Sequence, residues 1–106
     1  MNALKVLIFF QTGNVVQINN ESEYVKFIRV MTNLGRKDLL PPRKYSYEEM
    51  IRLYNLPHNK SKHPNWDGKT LYAEFQPDKE SIGFYPYTPD VYDWYGVEPL
   101  SVNDIA

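Results

Sequence analysis

Two short apolar runs at the start of the chain predict a β-hairpin. From Leu4 to Gln11, apolar residues fall on both faces of an extended strand, which is typical of an internal strand covered on both sides. Residues 12–14 follow as a tight turn, because glycine and asparagine tolerate positive φ angles. Val15 to Ile18 is then expected to return as the second strand of the hairpin.

Apolar residues at helical spacing predict two helices in the middle of the chain. The first covers residues 21–34, with Asn20 as its N-cap and Glu23 closing a capping box. The second begins after Ser46 and runs over residues 47–55, with its apolar side chains on one face.

The remaining segments predict a second hairpin and an irregular end. Residues 56–69 are polar and without periodicity, which indicates a long loop. Residues 70–76 and 81–85 alternate as strands, and Pro86 confines the second of them to a sheet edge. The order β-β-α-α-β-β predicts a single α+β domain: a small antiparallel sheet of about four strands packed with two helices, followed by an irregular aromatic C-terminal tail.

The composition excludes several classes of protein. The chain has 106 residues and no cysteine, so disulfides, thiolate chemistry and cysteine-based metal sites are ruled out. The longest apolar run, Val6 to Phe10, is far shorter than the roughly 20 residues of a membrane span. We therefore expect a cytoplasmic protein with no membrane partner.

The small net charge of -1 conceals a strong asymmetry along the chain. Residues 36–69 carry eight basic and four acidic side chains, whereas residues 70–106 carry one basic and seven acidic side chains. Such polarity indicates either partner surfaces of opposite sign or mutual neutralisation within the fold.

The acidic end of the chain also contains half of its aromatic residues. Eight of the sixteen lie between Tyr72 and Tyr95, and such side chains are enriched at protein interfaces. We expect Tyr85 and Trp94 to pack inward, and Tyr87, Tyr92 and Tyr95 to face partly outward. The predicted partner-binding residues are Tyr87, Asp90, Tyr92, Asp93, Trp94 and Tyr95.

A basic segment is the alternative candidate site. Lysines attract phosphate, and a tryptophan ring offers a face on which a base can stack. The candidate residues for binding a nucleic acid or nucleotide are Arg43, Lys44, Lys60, Lys62, Trp66 and Lys69. The competing interpretation is a solvated loop in which Trp66 fills the edge of the core.

Metal binding and catalysis have weaker support in the sequence. His58 and His63 are five residues apart and Asp67 follows, a spacing that matches no recognised structural zinc site. Neither a nucleophile motif nor a phosphate-binding glycine motif occurs. We predict no metal, no cofactor and no catalytic residue, and we rank a small metal-dependent nuclease using one of the histidines as a third interpretation.

These observations favour a small non-enzymatic protein-binding module, such as an inhibitor, adaptor or immunity protein. It would dock through its acidic aromatic C-terminal surface on a protein with a basic surface, or on a second copy of itself. The run from Trp66 to Lys69 is similar to a Trp-Asn-Gly-Lys run in one group of small phage proteins that block host defence, which implies a phage or mobile-element origin. The similarity covers four residues and assigns a role to none of them.

Overall fold

A computed structural model describes residues 1–42 and 45–106 as an α+β fold with one open four-stranded sheet. The predicted fold class is confirmed. In chain order the elements are α1 Ala3–Gln11, β1 Val16–Ile18, α2 Glu21–Asn33, a 3-10 turn Lys37–Leu39, α3 Tyr47–Tyr54, α4 Pro57–Lys60, β2 Leu71–Gln76, β3 Ser81–Tyr85, α5 Pro89–Trp94, β4 Leu100–Ser101 and α6 Val102–Ile105. No helix among these is long and apolar enough to cross a bilayer.

The sheet has the strand order β3-β2-β1-β4. The two inner pairings are antiparallel, with Ala73 between Val16 on one side and Phe84 on the other. The edge pairing of β1 with β4 is parallel, and places Val16 beside Leu100. The prediction of an antiparallel sheet is therefore right for three strands and wrong for the fourth, which comes from the C-terminal end of the chain.

The predicted first strand is a helix, α1. Apolar residues on both faces of a short segment are equally consistent with a strand and with a buried helix, and the local capping decides between them. The Asn2 side chain accepts a hydrogen bond from the Lys5 backbone amide at 2.9 Å, which caps the first turn. In the helix Val6 and Phe10 are buried while Leu4 and Ile8 face outward, although a strand would place all four on one face.

The two predicted central helices are confirmed, with α2 ending one residue before the predicted limit. Asn20 accepts from the Glu23 amide at 2.9 Å, and Ser46 accepts from the Glu49 amide at 3.1 Å. The N-caps are therefore as predicted, but the reciprocal half of the capping box differs: the Glu23 carboxylate accepts from the Asn19 amide, and the Glu49 carboxylate accepts from the Ser46 hydroxyl.

The inner face of the sheet packs against helices to form the main core. Its buried side chains are Val16, Ile18, Leu71, Ala73, Ile82 and Phe84. Phe27 of α2 contacts this face edge-on, with its ring centroid 5.8 Å from that of Phe84. The two hairpin strands β2 and β3 have their predicted positions, and β3 lies at the sheet edge as Pro86 indicates.

The C-terminal segment is ordered into elements that the sequence did not predict. Helix α5, strand β4 and helix α6 replace the expected irregular tail. Ser101 and Asp104 form a capping box for α6, whose Val102 and Ile105 enter the main core. Proline at the first position of α5 starts that helix rather than preventing it, since the first helical residue needs no amide hydrogen bond.

Candidate functional site: the outer face of the sheet and helix α5

The outer face of the sheet carries polar and aromatic side chains. Strand alternation directs Tyr72 and Glu74 of β2 away from the main core, because Leu71 and Ala73 point into it. Across the strand pair, Tyr72 lies opposite Tyr85 and Glu74 lies opposite Gly83. A side chain at Gly83 would collide with Gln76 at 2.1 Å and with the Tyr85 hydroxyl at 2.7 Å, so glycine there lets the Tyr85 ring lie across the strand.

Helix α5 covers this face through Tyr92. Its side chain is only 3% exposed and joins Val15 and Tyr72 in a second, smaller core. The Tyr92 ring centroid lies 4.6 Å from that of Tyr72 and 6.2 Å from that of Tyr87. The expectation that Tyr92 faces outward is wrong, because its position on α5 points directly at the sheet.

Helix α5 and the Tyr95 residue that caps its C-terminus also carry exposed aromatic and acidic side chains. Trp94 is 86% exposed and Tyr95 is 74% exposed. The expectation that Trp94 packs inward is wrong, since it lies two residues after Tyr92 and therefore on the other side of the helix. Asp90 and Asp93 are also exposed, and the spacing 90, 93, 94 places them on one helical face with Trp94. We call the side chains of Asp90, Asp93, Trp94 and Tyr95 the α5 surface.

Tyr85 and Tyr87 form a stacked pair of rings next to this outer face of the sheet. Their rings stack at 5.3 Å with an interplanar angle of 9°, and both side chains are half-buried. His63 packs edge-on against Tyr87 with a centroid separation of 5.8 Å. The partly outward position expected for Tyr87 agrees with this arrangement, whereas Tyr85 is less enclosed than expected.

A cavity of about 580 Å³ opens between β2 and α5. It is lined by Gly13, Glu74, Tyr87, Val91, Tyr92, Tyr95 and Val97, and we call it the Glu74 pocket. Burial raises the pKa of Glu74, and none of the described residues supplies an ion-pair or hydrogen-bond partner for its carboxylate. The pocket therefore contains a half-buried acid without a matching cation.

The tyrosine hydroxyls around the pocket are also electrostatically unusual. The Tyr92 hydroxyl is buried and has no hydrogen-bond partner among the described residues. Burial, reinforced by the nearby Glu74 carboxylate, raises the pKa of Tyr92 well above its ordinary value. Burial and the neighbouring Tyr87 and Glu74 raise the pKa of Tyr85 to about 12. These tyrosines are therefore neutral at physiological pH, with Tyr92 keeping an unused donor and acceptor.

The acidic side chains of α5 are not neutralised by the basic middle of the chain within the described residues. The single ion pair in residues 1–42 and 45–106 joins Arg36 to Asp38 at 3.1 Å. Direct pairing between the basic and acidic segments is thus absent from this part of the structure, and Asp90 and Asp93 remain available to a partner.

The basic loop, residues 58–69, provides a less complete site. The prediction that this stretch is entirely a loop is wrong, because its first residues belong to helix α4, which Pro57 starts. Trp66 is 6% exposed and its indole nitrogen donates to the Thr70 carbonyl, so the ring fills the edge of the core and offers no face to a base. Lys60, Lys62 and Lys69 are exposed, and phosphate binding by them stays a prediction. Arg43 and Lys44 lie outside the described residues.

The acid of that loop has a structural role. Asp67 accepts hydrogen bonds from the Lys69 amide at 2.9 Å and the Thr70 amide at 2.8 Å. Burial opposes its ionisation, but these bonds and one from the Thr70 hydroxyl prevail and lower the pKa of Asp67. In the ranges that the structure describes, no three histidine or acidic side chains are grouped to hold a metal ion.

A second cavity, of about 590 Å³, lies on the helix side of the sheet between α2, α3 and β3. Of the three tyrosines that line it, Tyr24 donates a hydrogen bond to the Tyr45 carbonyl at 2.8 Å and Tyr54 donates one to the Phe84 carbonyl at 2.6 Å. These hydroxyls are thus less available to orient a ligand than the one in the Glu74 pocket.

Comparisons with protein-family models, with curated proteins and with solved structures find no match for this chain. The candidate site therefore rests on its own geometry. The sequence indicated residues 87–95 as a candidate binding segment, which stays a prediction, and it did not point to Glu74. The signal for Glu74 was an acidic residue at an alternating position in the predicted strand.

Proposed function

We propose that this chain is a non-enzymatic protein-binding module that docks a basic segment of another protein on the α5 surface. The observation that carries the proposal is the exposure of Trp94 and Tyr95, two adjacent large side chains on a helix anchored by Tyr92. Tryptophan and tyrosine supply large contact areas with few rotatable bonds, and they dominate the energetics of protein interfaces. Water covers both rings in the free protein, so a partner that covers them gains their full apolar area.

The charge of the α5 surface defines the kind of partner. Asp90 and Asp93 lie beside Trp94 and have no ion-pair partner among the described residues, and the exposed Glu98 follows shortly after. Lysine and arginine side chains of a partner would complement these acids and accelerate association. An inhibitor, adaptor or immunity protein acts through such docking and needs no catalytic group.

Selection from a random peptide library tests this proposal. Peptides retained by the wild-type protein should be enriched in lysine and arginine. Trp94→Ala and Tyr95→Ala should each weaken the selected peptides by about tenfold or more, because both remove contact area at the centre of the surface. We choose Tyr95 rather than Tyr92 for this test, since truncating the buried Tyr92 would damage the second core.

Two variants serve as matched controls. Lys60→Ala removes an exposed charge from the basic loop, and Leu4→Ala removes an exposed apolar side chain from α1. Both should leave peptide affinity within about twofold of wild type, as expected for residues outside the interface. Unchanged binding by folded Trp94→Ala and Tyr95→Ala proteins would contradict the proposal, as would selection of acidic peptides.

A further inference from the structure

We propose that the Glu74 pocket binds the cationic head of a lysine or arginine side chain. The assignment of that side chain to a docked protein segment rests on the proposed function. The pocket itself stands on separate observations: Glu74, Tyr87, Tyr92 and Tyr95 all line one cavity, and the Tyr92 hydroxyl is buried without a hydrogen-bond partner among the described residues.

The charge in the pocket favours a cation. The Glu74 carboxylate is half-buried beneath α5, and the described residues give it no positive partner. A buried charge is unfavourable unless it is paired, and an exchangeable cation from outside would supply the missing pair. Gly13, which has no side chain, lines the same cavity and leaves room for an entering group.

The Tyr92 hydroxyl supplies a second polar contact. It is the one buried tyrosine hydroxyl among the described residues that lacks a partner, although an unpaired buried hydroxyl normally costs free energy. Its oxygen would accept a hydrogen bond from an ammonium or guanidinium N–H, while the same cation pairs with Glu74. The pocket thus offers two acceptors to a donor-only ligand.

The aromatic wall suits the same ligand. Tyrosine rings attract cations through the negative potential of their faces, and the methylene stem of lysine or arginine packs on apolar side chains such as Val91 and Val97. The cavity of about 580 Å³ is within the size range of small-ligand sites. Because Tyr95 belongs to both the Glu74 pocket and the α5 surface, a segment docked on α5 would deliver its side chain directly into the pocket.

The experiment is a titration of the whole protein followed by two-dimensional NMR. The probes are N-acetyl-lysine methylamide and N-acetyl-arginine methylamide, and the neutral control is the norleucine analogue, which keeps the lysine carbon stem without the ammonium group. The cationic probes should shift the backbone amides of Gly13, Val91 and Val97, whereas the norleucine probe should shift them much less. Equal shifts from the norleucine probe would overturn the proposal.

Two conservative variants identify the groups responsible. Glu74→Gln and Tyr92→Phe should each weaken the cationic probes by about fivefold or more, because the first removes the negative charge and the second removes the hydroxyl acceptor. The matched control Glu48→Gln removes an exposed acid on α3, outside the pocket, and should change affinity by less than about twofold. Thermal unfolding provides a second readout: both pocket variants should be at least as stable as wild type, since Tyr92→Phe removes an unpaired buried hydroxyl and Glu74→Gln removes an unpaired half-buried charge. Unchanged probe affinity in both folded variants would overturn the pocket.

Trp94→Ala separates this inference from the proposed function. The Trp94 side chain is outside the Glu74 pocket, so the variant should bind the lysine probe normally while losing selected peptides. Loss of peptide binding in Trp94→Ala with probe affinity unchanged in the Glu74 and Tyr92 variants would overturn the pocket alone. Probe binding that depends on Glu74, combined with normal peptide binding by Trp94→Ala, would instead contradict docking on the α5 surface.

Discussion

At the scale of single residues, Asp67 and Glu74 occupy opposite electrostatic environments. Hydrogen bonds from two backbone amides and the Thr70 hydroxyl favour the charged form of Asp67 and lower its pKa. Burial disfavours the charged form of Glu74 and raises its pKa. Folding is therefore stabilised by the ionisation of Asp67 and opposed by the ionisation of Glu74.

The two acids should consequently contribute to stability with opposite pH dependence. The stabilising effect of Asp67 is present above its unfolded pKa and is lost as pH falls through the lower folded value. Glu74 destabilises the fold increasingly as pH rises from its unfolded pKa through the higher folded value. At about pH 7, Asp67→Asn should lower the free energy of unfolding by about 1 kcal/mol, and Glu74→Gln should raise it by about 0.5 kcal/mol, a small change because the carboxylate is only half-buried.

Urea unfolding at about pH 7 and at about pH 3.5 measures both effects. At the lower pH the Glu74→Gln difference should disappear, because the Glu74 carboxyl, with its raised pKa, is then largely protonated. The Asp67→Asn difference should begin to shrink, because this pH lies just below the pKa of aspartate in the unfolded chain, although above the range in which the folded carboxyl is fully protonated. Glu48→Gln, an exposed acid on α3, is the control and should change stability little at either pH. A Glu74→Gln protein less stable than wild type at about pH 7 would show that the carboxylate has a stabilising partner.

Tyr92 is buried and Trp94 is exposed, the reverse of what the sequence predicted, and the difference has a physical reason. Composition indicated that some aromatic side chains of the C-terminal segment would be buried, but the choice depended on whether that segment is helical. Once Pro89–Trp94 forms a helix, residues two apart lie on opposite sides, and burial of Tyr92 exposes Trp94. The position of Trp66 did not depend on that choice. The interpretation that its ring fills the edge of the core is confirmed.

At the scale of elements, α1 provides a direct test of helix against strand. In the helix Phe10 is buried, whereas Ile8 is 50% exposed. A strand would have placed both side chains on the same face. Phe10→Ala should therefore lower the free energy of unfolding by about 3–5 kcal/mol, and Ile8→Ala by about 0.5 kcal/mol or less.

Chemical denaturation of the two variants distinguishes these structures, and Leu4→Ala is a second exposed-site control. Similar large losses at Leu4, Ile8 and Phe10 would support the strand that alternation predicts. If Phe10→Ala fails to fold, Phe10→Leu provides a milder truncation, which should still cost more than Ile8→Ala.

Elements with strong local signals were predictable, and elements fixed by tertiary contacts were not. Helices α2 and α3 combine an N-cap, a glutamate three residues on and an apolar stripe, so their existence followed from the sequence. Strand β4 has only two residues and exists because the Leu100 amide reaches the Val15 carbonyl at 3.0 Å. No local pattern of two residues can indicate such a pairing.

At the scale of the whole molecule, charge is divided between a basic middle and an acidic C-terminal third. The described residues show no ion pair between the two, so each remains able to interact with a partner. The two tryptophans distinguish these segments. Trp94 is exposed beside the acids, whereas Trp66 is buried beside the lysines. The acidic end therefore combines charge with apolar contact area, and the basic loop offers charge without an accessible indole ring.

The protein should consequently prefer a cationic peptide to a nucleic acid under identical conditions. Binding of a lysine–glycine peptide, a single-stranded DNA and a duplex DNA can be compared by fluorescence anisotropy across a range of salt. We expect the peptide to bind more tightly than either DNA at every salt concentration, and to retain part of its affinity at high salt because contact with Trp94 and Tyr95 is not screened. Phosphate binding would instead show an affinity that falls steeply with salt through counterion release. The opposite result would be tighter binding of DNA that Lys60→Ala weakens and Trp94→Ala leaves unchanged. It would show that the functional site lies in the basic loop and not on α5.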